Sequence, residues 1–469
     1  MRYTEKVVVI GAGLSGLACA FRLQQLQLAP LVLEVTARPG GVINSIQQNS
    51  FLFETGPQFP RFPASVWQLV RELKFEPEFL PGDPKAQRFI FQGGRLHPAP
   101  FSPAGLIATS LVGLRSKLRV LAEPFRHTRP PGHEETLAQF VERKFGTEIL
   151  DHLVDPFIST IFFGDAHKMG MHSAFPALVE WERASGSLVR GALRARSRNR
   201  SRQNNSLRVT DSLPTLGSFR SGMATLPQRL AAALGSRLRL RTKIFSLMPL
   251  PAPSGESAPL WQINIGGSEE ILAEHLILAL PAYAAARLLA SAHSSLAAHL
   301  TAIEYAPICV VSAAYERSRV AHALQGFGFM VPRREGLSTI CTFWNSSLFP
   351  NRAPQSATLI TSFAGRQLAD RFNSLSEDNC GNLVHSENAK ILGITAPPLD
   401  RVVWRDARAL PQYNVGHARR MKEISGILAA TPSLHLIGNF LSGRSIGDCV
   451  ELAEAVARKV HSQLVGSNI

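Results

Sequence analysis

"VVVIGAGLSGLACAFRLQQ", residues 7–25, decides how the rest of the chain is read. Two readings compete for it. A secretory signal would use Lys6 as its basic flank and "ACA", residues 18–20, as a small-residue cleavage site. A nucleotide-binding turn would use Gly11, Gly13 and Gly16, which stand in G-x-G-x-x-G spacing. Residues 7–10 ahead of the glycines form a β-branched run, as a buried parallel strand requires. Behind them Leu14, Leu17, Ala18 and Phe21 recur at helical spacing. In that frame Gly11 permits a tight turn, Gly13 lets backbone approach a pyrophosphate, and Gly16 lets the helix pack close on the strand. The helix N-terminus offers free N–H groups and the positive end of its dipole. A second apolar strand, residues 31–33, ends in Glu34, 18 residues past Gly16, where a carboxylate holds a ribose diol and disfavours a 2′-phosphate. Strand, glycines, helix, strand and acid in that order favour the dinucleotide fold, and no signal peptide is expected.

The totals agree with a folded protein of two or three domains: 469 residues, 45% of them hydrophobic. The five cysteines are scattered and none forms C-x-x-C, which argues against a disulfide framework or a zinc site and suits a reducing compartment. No metal site is expected. The net charge of +15 points to an anionic partner: lipid, a carboxylated ligand or nucleic acid. Residues 98–114 are the nearest approach to a membrane span, and four prolines or glycines in their first eight positions rule it out. Residues 190–208 carry seven arginines and read as a solvated, disordered loop. No binding module supports nucleic acid.

Past the second strand, "VTARPGGVINS" (residues 35–45) and "FLFETGPQF" (51–59) bring Arg38, Gly40, Gly41, Glu54, Gly56 and Pro57. Glycines let backbone lie against a flat ring, and Arg38 can pair with the pyrophosphate. The chain closes on "LHLIGNFLSGRSIGDCVELAEAVARKV" (434–460), a strand, a glycine-rich turn and a helix. These pieces resemble the FAD-binding amine oxidases. Further blocks resemble the protoporphyrinogen oxidase family in order: "KAQRFIFQGGRLHPAP" (85–100), "LVDPFISTIFFGDAHKMGMHSAFP" (153–176), "GSFRSGMATLPQRL" (217–230), "GFGFMVPRREG" (326–336), "SSLFPNRAP" (346–354) and "ALPQYNVGHARRM" (409–421).

The resemblance implies an α/β fold: a Rossmann-like FAD-binding domain of the amine-oxidase type, a mixed α+β substrate domain, and a helical region contacting membrane. The expected divisions are residues 1–90, 213–280 and 401–469 for the cofactor, 91–100 and 281–400 for the substrate, and 101–212 for the helical cap. The implied cofactor is non-covalent FAD, because the turn 439–447 lacks a cysteine and Cys449 lies beyond it. Its implied contacts begin with the first turn: Gly11, Ala12, Gly13, Leu14, Ser15 and Gly16. Glu34, Val35, Arg38, Gly41 and Val42 follow the second strand. Gly56, Pro57, Gln58 and Phe59 come next, and Ile244 and Trp404 lie far along the chain. Gly438, Arg444, Ser445 and Ile446 close the set.

The resemblance assigns Arg88 to a substrate propionate, Phe327 and Met330 to the two sides of the macrocycle, and Gly164 to a place near the ring where a side chain would obstruct the flavin. Residues three apart face opposite sides of a flat strand, so Phe327 and Met330 can share a ligand only if Gly326 or Gly328 bends it. The implied reaction oxidises a porphyrinogen with molecular oxygen. Protoporphyrinogen, with two propionates, and coproporphyrinogen III, with four, both fit. An amine oxidase or carotene desaturase would share only the cofactor fold, and a flavin- or porphyrin-binding carrier would show no turnover. No general base is assigned among His97, His167, His172 and His417. Residues 104–125 mix apolar side chains with Arg115, Lys117 and Arg119, which suits an anionic bilayer surface or an ordinary cap helix. The implied setting is cytoplasmic and peripheral to the membrane. A homodimer and hand-over to the next haem-pathway enzyme are compatible with it.

Overall fold

The structure, a computed structural model, describes residues 2–126, 128, 131–203, 216–251, 260–266, 269–365, 374–441, 443 and 445–466. Arg444 and the last five residues of the arginine-rich stretch lie outside them.

The opening strand is Arg2–Ile10, and Val7, Val8, Val9 and Ile10 are all buried. It runs parallel to Glu270–Leu278 on one side and to Leu31–Leu33 on the other. Leu238–Arg239 extends the parallel sheet past Leu31–Leu33, and Leu434–Leu436 pairs with the end of Glu270–Leu278. A hairpin, Ser246–Leu250 and Leu260–Asn264, adds antiparallel strands at the other edge. Helices Leu14–Gln25 and Ile446–Gly466 pack together on one face of this sheet through Leu17, Ala18, Phe21, Val450, Ala453 and Ala457. Ala282–Leu289 and Ser294–Thr301 cover the other face. Both faces are closed, which is why the central strands read as continuous apolar runs.

A second sheet has seven strands in the order Asp400–Pro411, Tyr305–Glu316, Ala357–Ala364, Thr339–Phe343, Gly328–Met330, Arg88–Gln92 and Arg95–Pro98. Only the pairing of Gly328–Met330 with Arg88–Gln92 is parallel. The divisions expected at residues 90 and 401 therefore fall inside strands of this sheet.

Between the sheets in sequence lies a helical region: Pro103–Ala108, Leu114–Leu121, Leu137–Lys144, Asp155–Phe162, Pro176–Ser185 and Leu188–Gln203. The last corrects the loop expected over the first part of residues 190–208. Glu123 is the reason: its buried carboxylate accepts from Leu188 N at 2.6 Å and Val189 N at 3.3 Å, satisfying orphan donors of the helix start. Arginine is itself a good helix former. No helix among the described residues is long and apolar enough to cross a membrane.

Candidate functional site: a dinucleotide cradle and an aromatic cavity

The three glycines of the first turn have three different surroundings. A Cβ on Gly11 would stand 2.4 Å from the Ala279 carbonyl, and its φ is +105°. A Cβ on Gly16 would stand 2.0 Å from the Gly11 carbonyl. At Gly13 a Cβ would meet nothing within 4 Å. The first and third glycines thus close the turn and seat the helix, while the second faces open space at a helix N-terminus with no side-chain cap. Ala12 and Leu14 are buried, so the loop presents backbone to that space. Glu34 stands at its side, with Oε2 accepting from Ala12 N at 2.8 Å and Oε1 from Thr36 N at 2.9 Å. This arrangement fits a dinucleotide: an open helix N-terminus with a carboxylate beside it.

Arg38 bonds the turn that follows it. Its Nη2 donates to the Gly41 carbonyl at 2.8 Å and its Nη1 to the Ile43 carbonyl at 3.3 Å. The carbonyls of this turn thus accept from an exposed guanidinium. The turn in consequence lies against the first: Gly40 N donates to Ala12 O at 2.8 Å, and a Cβ on Gly41 would be 3.3 Å from Gly13 Cα. Arg38 ties residues 38–43 together beside the first turn.

Glu54 anchors the next piece. It is fully buried, accepting from Ser45 Oγ at 2.6 Å and Met223 N at 2.8 Å, and faces Arg352 Nη2 at 3.4 Å. Burial pushes its carboxyl up to about 7, against the opposing pull of Arg352. The Glu54 carbonyl accepts from Gln58 Nε2 at 3.1 Å and from Ser312 Oγ at 3.3 Å, joining residues 54–58 to the second sheet. Arg352, from the "LFPNRAP" block, had been given no role by sequence reasoning. A buried acid in a strand followed by an arginine in a distant block is a signal that only the fold pairs.

Residues 56–59 lead into a cavity of about 960 Å³ between the cradle, the second sheet and the helical region. Eleven of its lining residues are aromatic, Arg61 and Arg88 carry the charge, and there is no acid, lysine or histidine among the described lining residues. Arg88, Phe327, Met330, Val42, Gly56, Pro57, Gln58, Phe59 and Trp404 all line it. The bend expected in the 326–330 segment is present: Gly326 and Gly328 have φ of +126° and +134°. A Cβ on either would stand within 2.3 Å of a neighbouring carbonyl, Gln87 or Thr342. Phe327 and Met330 consequently face one space despite their spacing. Phe59 meets Phe327 edge-on at 4.6 Å and Phe343 at 4.8 Å. The Arg88 guanidinium lies over the Phe327 ring at 4.2 Å, with Phe101 at 5.5 Å.

Other expected residues lie elsewhere. Gly164 sits behind the wall: a Cβ there would meet Gln412 Oε1 at 2.4 Å and Met169 Cε at 3.1 Å, so packing explains the glycine. Its neighbour Phe163 faces the cavity instead. Val35 is exposed beyond Glu34, and Ile244 packs on the parallel sheet's core. Gly438 follows the strand Leu434–Leu436, directly before Asn439, which reaches the cavity. Ser445 bonds Asp448 at the start of the C-terminal helix, where Ile446 is buried. None of His97, His167, His172 and His417 lines the cavity; His97 bonds the Gln92 carbonyl, and His417 stacks on Tyr413 at 4.5 Å. Sequence reasoning missed Arg61, Phe101, Phe157, Phe343 and Phe363 in the lining.

The profile of the flavin-containing amine oxidoreductases matches residues 14–461. The chloroplastic protoporphyrinogen oxidase of Oryza sativa subsp. japonica is 30% identical over 484 residues, covering 99% of this chain and 89% of that protein. The coproporphyrinogen III oxidase of Bacillus subtilis (strain 168) is 26% identical over 467 residues, 96% of this chain and 97% of that one. A solved structure from Exiguobacterium sp. 255-15 superposes with a TM-score of 0.80 at 22% identity, covering 99% of this chain and all of its own. The protein therefore belongs to the flavin-containing amine oxidoreductase family, as an oxidoreductase related to the protoporphyrinogen oxidases.

Proposed function

We propose that this protein oxidises protoporphyrinogen IX to protoporphyrin IX with molecular oxygen, holding FAD without a covalent bond. The observation that carries this reading is the cavity: broad, aromatic, bordered by the cradle, and, among the described lining residues, charged only by arginines. A porphyrinogen is a large apolar macrocycle with carboxylates on its edge, and that lining complements it. Six hydrogens leave the macrocycle while three molecules of oxygen become three of hydrogen peroxide. The isoalloxazine of a bound FAD supplies the two-electron chemistry. The chain's own part is to bind and orient. Gly11, Gly13 and Gly16 would receive the pyrophosphate and Glu34 the ribose. Phe327 and Met330 would flank the macrocycle and Arg88 would hold a propionate through a charge-assisted hydrogen bond. Cys449, inside the C-terminal helix with its thiol bonded to Ser15, is placed for packing.

Coproporphyrinogen III is the second substrate to test, because the Bacillus subtilis relative is named for it. The test is turnover of both porphyrinogens side by side, followed by porphyrin fluorescence and peroxide release. Anaerobic bleaching of the flavin by a porphyrinogen separates an enzyme from a carrier. No flavin reduction by either porphyrinogen would refute the proposal.

The helical region supports a peripheral membrane position. On the helix Leu114–Leu121, the apolar Leu114, Leu118 and Leu121 face outward, and Phe125 just beyond is 87% exposed. Arg119 points inward instead, donating to the carbonyls of Glu142, Arg143 and Lys144. A cap helix serving only to cover a core would have the reverse polarity. Phe101, Phe157 and Ile161 are also exposed, and each lines the cavity, so the apolar face and the substrate site adjoin.

A further inference from the structure

Arg88 has a companion. Arg61 lines the same cavity, five residues past Gly56, and its side chain is exposed. Its backbone is held: Arg61 bridges Leu216, and Gly82 N donates to Leu216 O at 2.9 Å. Among the described residues neither guanidinium donates a hydrogen bond or joins an ion pair. Burial lowers the proton affinity of Arg88, the positive charge of Arg61 lowers it further, and Asp83 opposes them. Asp83 does not line the cavity, and its Oδ1 accepts from Lys85 N at 2.8 Å. Two like charges thus share one cavity with no acid between them. Such a site is complete only with two anionic groups.

We propose that Arg61 is a second carboxylate anchor, so that Arg61 and Arg88 together select a substrate bearing two carboxylates on one edge. This rests on the porphyrinogen reading and sharpens it. Protoporphyrinogen IX carries its two propionates on adjacent pyrroles, one for each guanidinium. Coproporphyrinogen III carries two more, and the rest of the lining offers them no cation. Those carboxylates would be desolvated without partners, which disfavours the tetra-acid by about a hundredfold or more.

The test uses the holoenzyme with protoporphyrinogen as free diacid and as dimethyl ester, and with coproporphyrinogen III. Arg61→Gln should raise KM for the diacid about threefold to fivefold, modest because the side chain is exposed, with kcat nearly unchanged. The rise should shrink as salt is added. Arg61→Lys should restore most of the loss, since an ammonium keeps the charge but not the planar fork. The diester should not distinguish Arg61→Gln from the parent chain, and the parent should prefer the diacid over the tetra-acid. FAD content and melting temperature of the variant establish that it is folded. An unchanged KM for the diacid, an equal shift for the diester, or a parent that prefers the tetra-acid would each overturn the proposal. Fluorescence titration with protoporphyrin IX and its diester needs no turnover. If the parent binds the diacid through Arg61 but oxidises no porphyrinogen, the anchor stands and the oxidase reading fails. A parent that neither binds nor oxidises defeats both.

Discussion

Arg88→Ala isolates the substrate assignment from the fold. The side chain is half-buried, stacked on Phe327 at 4.2 Å, and has no protein acceptor among the described residues. If it holds a propionate, the variant loses a charge-assisted hydrogen bond worth roughly 1.5–3 kcal/mol. That is a loss of about tenfold to a hundredfold in kcat/KM for the free diacid, entering mainly through KM if the contact is equal in ground and transition states. Arg88→Lys should recover part of it. Stability should move the other way or hardly at all. Burial penalises the Arg88 charge, Asp83 offsets it only in part, and no ion pair holds it among the described residues, so its removal deletes an unfavourable term as well as the stacking on Phe327. Steady-state kinetics with free and esterified porphyrinogen, flavin absorbance and a thermal melt measure all three quantities. Equal losses on both substrates, or a fall in melting temperature of more than a few degrees, would show that Arg88 acts through structure.

Three further outcomes follow from the geometry. Gly13→Ala should yield folded protein that fails to retain FAD, because its Cβ enters open cradle space, whereas Gly16→Ala, with a Cβ 2.0 Å from a carbonyl, should prevent folding; equal flavin content in Gly13→Ala and the parent chain would exclude the cradle. The protein should bind anionic vesicles, less so in high salt, and Leu118→Asp with Phe125→Asp should abolish binding while leaving FAD in place; a variant that sediments with vesicles like the parent removes this face from consideration. His275 and His435 stack at 5.4 Å, and burial followed by the Lys459 charge holds His275 at about 4, while burial followed by His275 and Lys459 holds His435 at about 3. Both are neutral in the fold but protonate near 6.5 when unfolded, so their contribution is intact above pH 6.5 and lost as pH falls toward 4. Melts from pH 7.5 to 4.5 should show His435→Leu declining less steeply than the parent. The comparison cancels Glu54, whose raised pKa acts with the opposite sign; parallel slopes would exclude the histidines as the cause.

The parts of the site visible beforehand were those with local causes. The tight turn at Gly11, Gly13 and Gly16 is readable from their spacing after a β-branched run: Gly11 and Gly16 are closed in by carbonyls and Gly13 faces open space. The bend that turns Phe327 and Met330 to one side was readable because glycines flank Phe327, and only a positive φ reconciles the spacing with a shared ligand. What stayed hidden had non-local causes. Arg38 has carbonyls and a pyrophosphate as alternative acceptors, and only the fold shows that the carbonyls of Gly41 and Ile43 lie within its reach. Residues 88–98 and 400–411 join the second sheet through partners far away in sequence, which no local pattern reports. The helix over the arginine-rich stretch begins at a cap supplied by Glu123, 65 residues before Leu188. Arg61 is an exposed arginine in a loop, indistinguishable in sequence from any solvated one.

The treatment of cations elsewhere in the chain gives the two free guanidiniums their meaning. Arg352 is fully buried and held against Glu54. Lys144 is buried between Glu123 and Glu182, and Arg143 is paired with Glu135 and Glu182. In each case burial is matched by an acid from another part of the chain, as the cost of an isolated buried charge demands. Arg88 is also withdrawn from water, yet aromatic rings surround it where a carboxylate would have stabilised the fold. An acid at that point would repel an anionic ligand of the cavity. The exposed Phe101, Phe157 and Ile161 beside it likewise keep apolar surface in water that a solely structural cap would cover. Unpaired charge and uncovered apolar surface each oppose folding, and both converge on one cavity. A single ligand, apolar in its body and anionic at one edge, relieves both together.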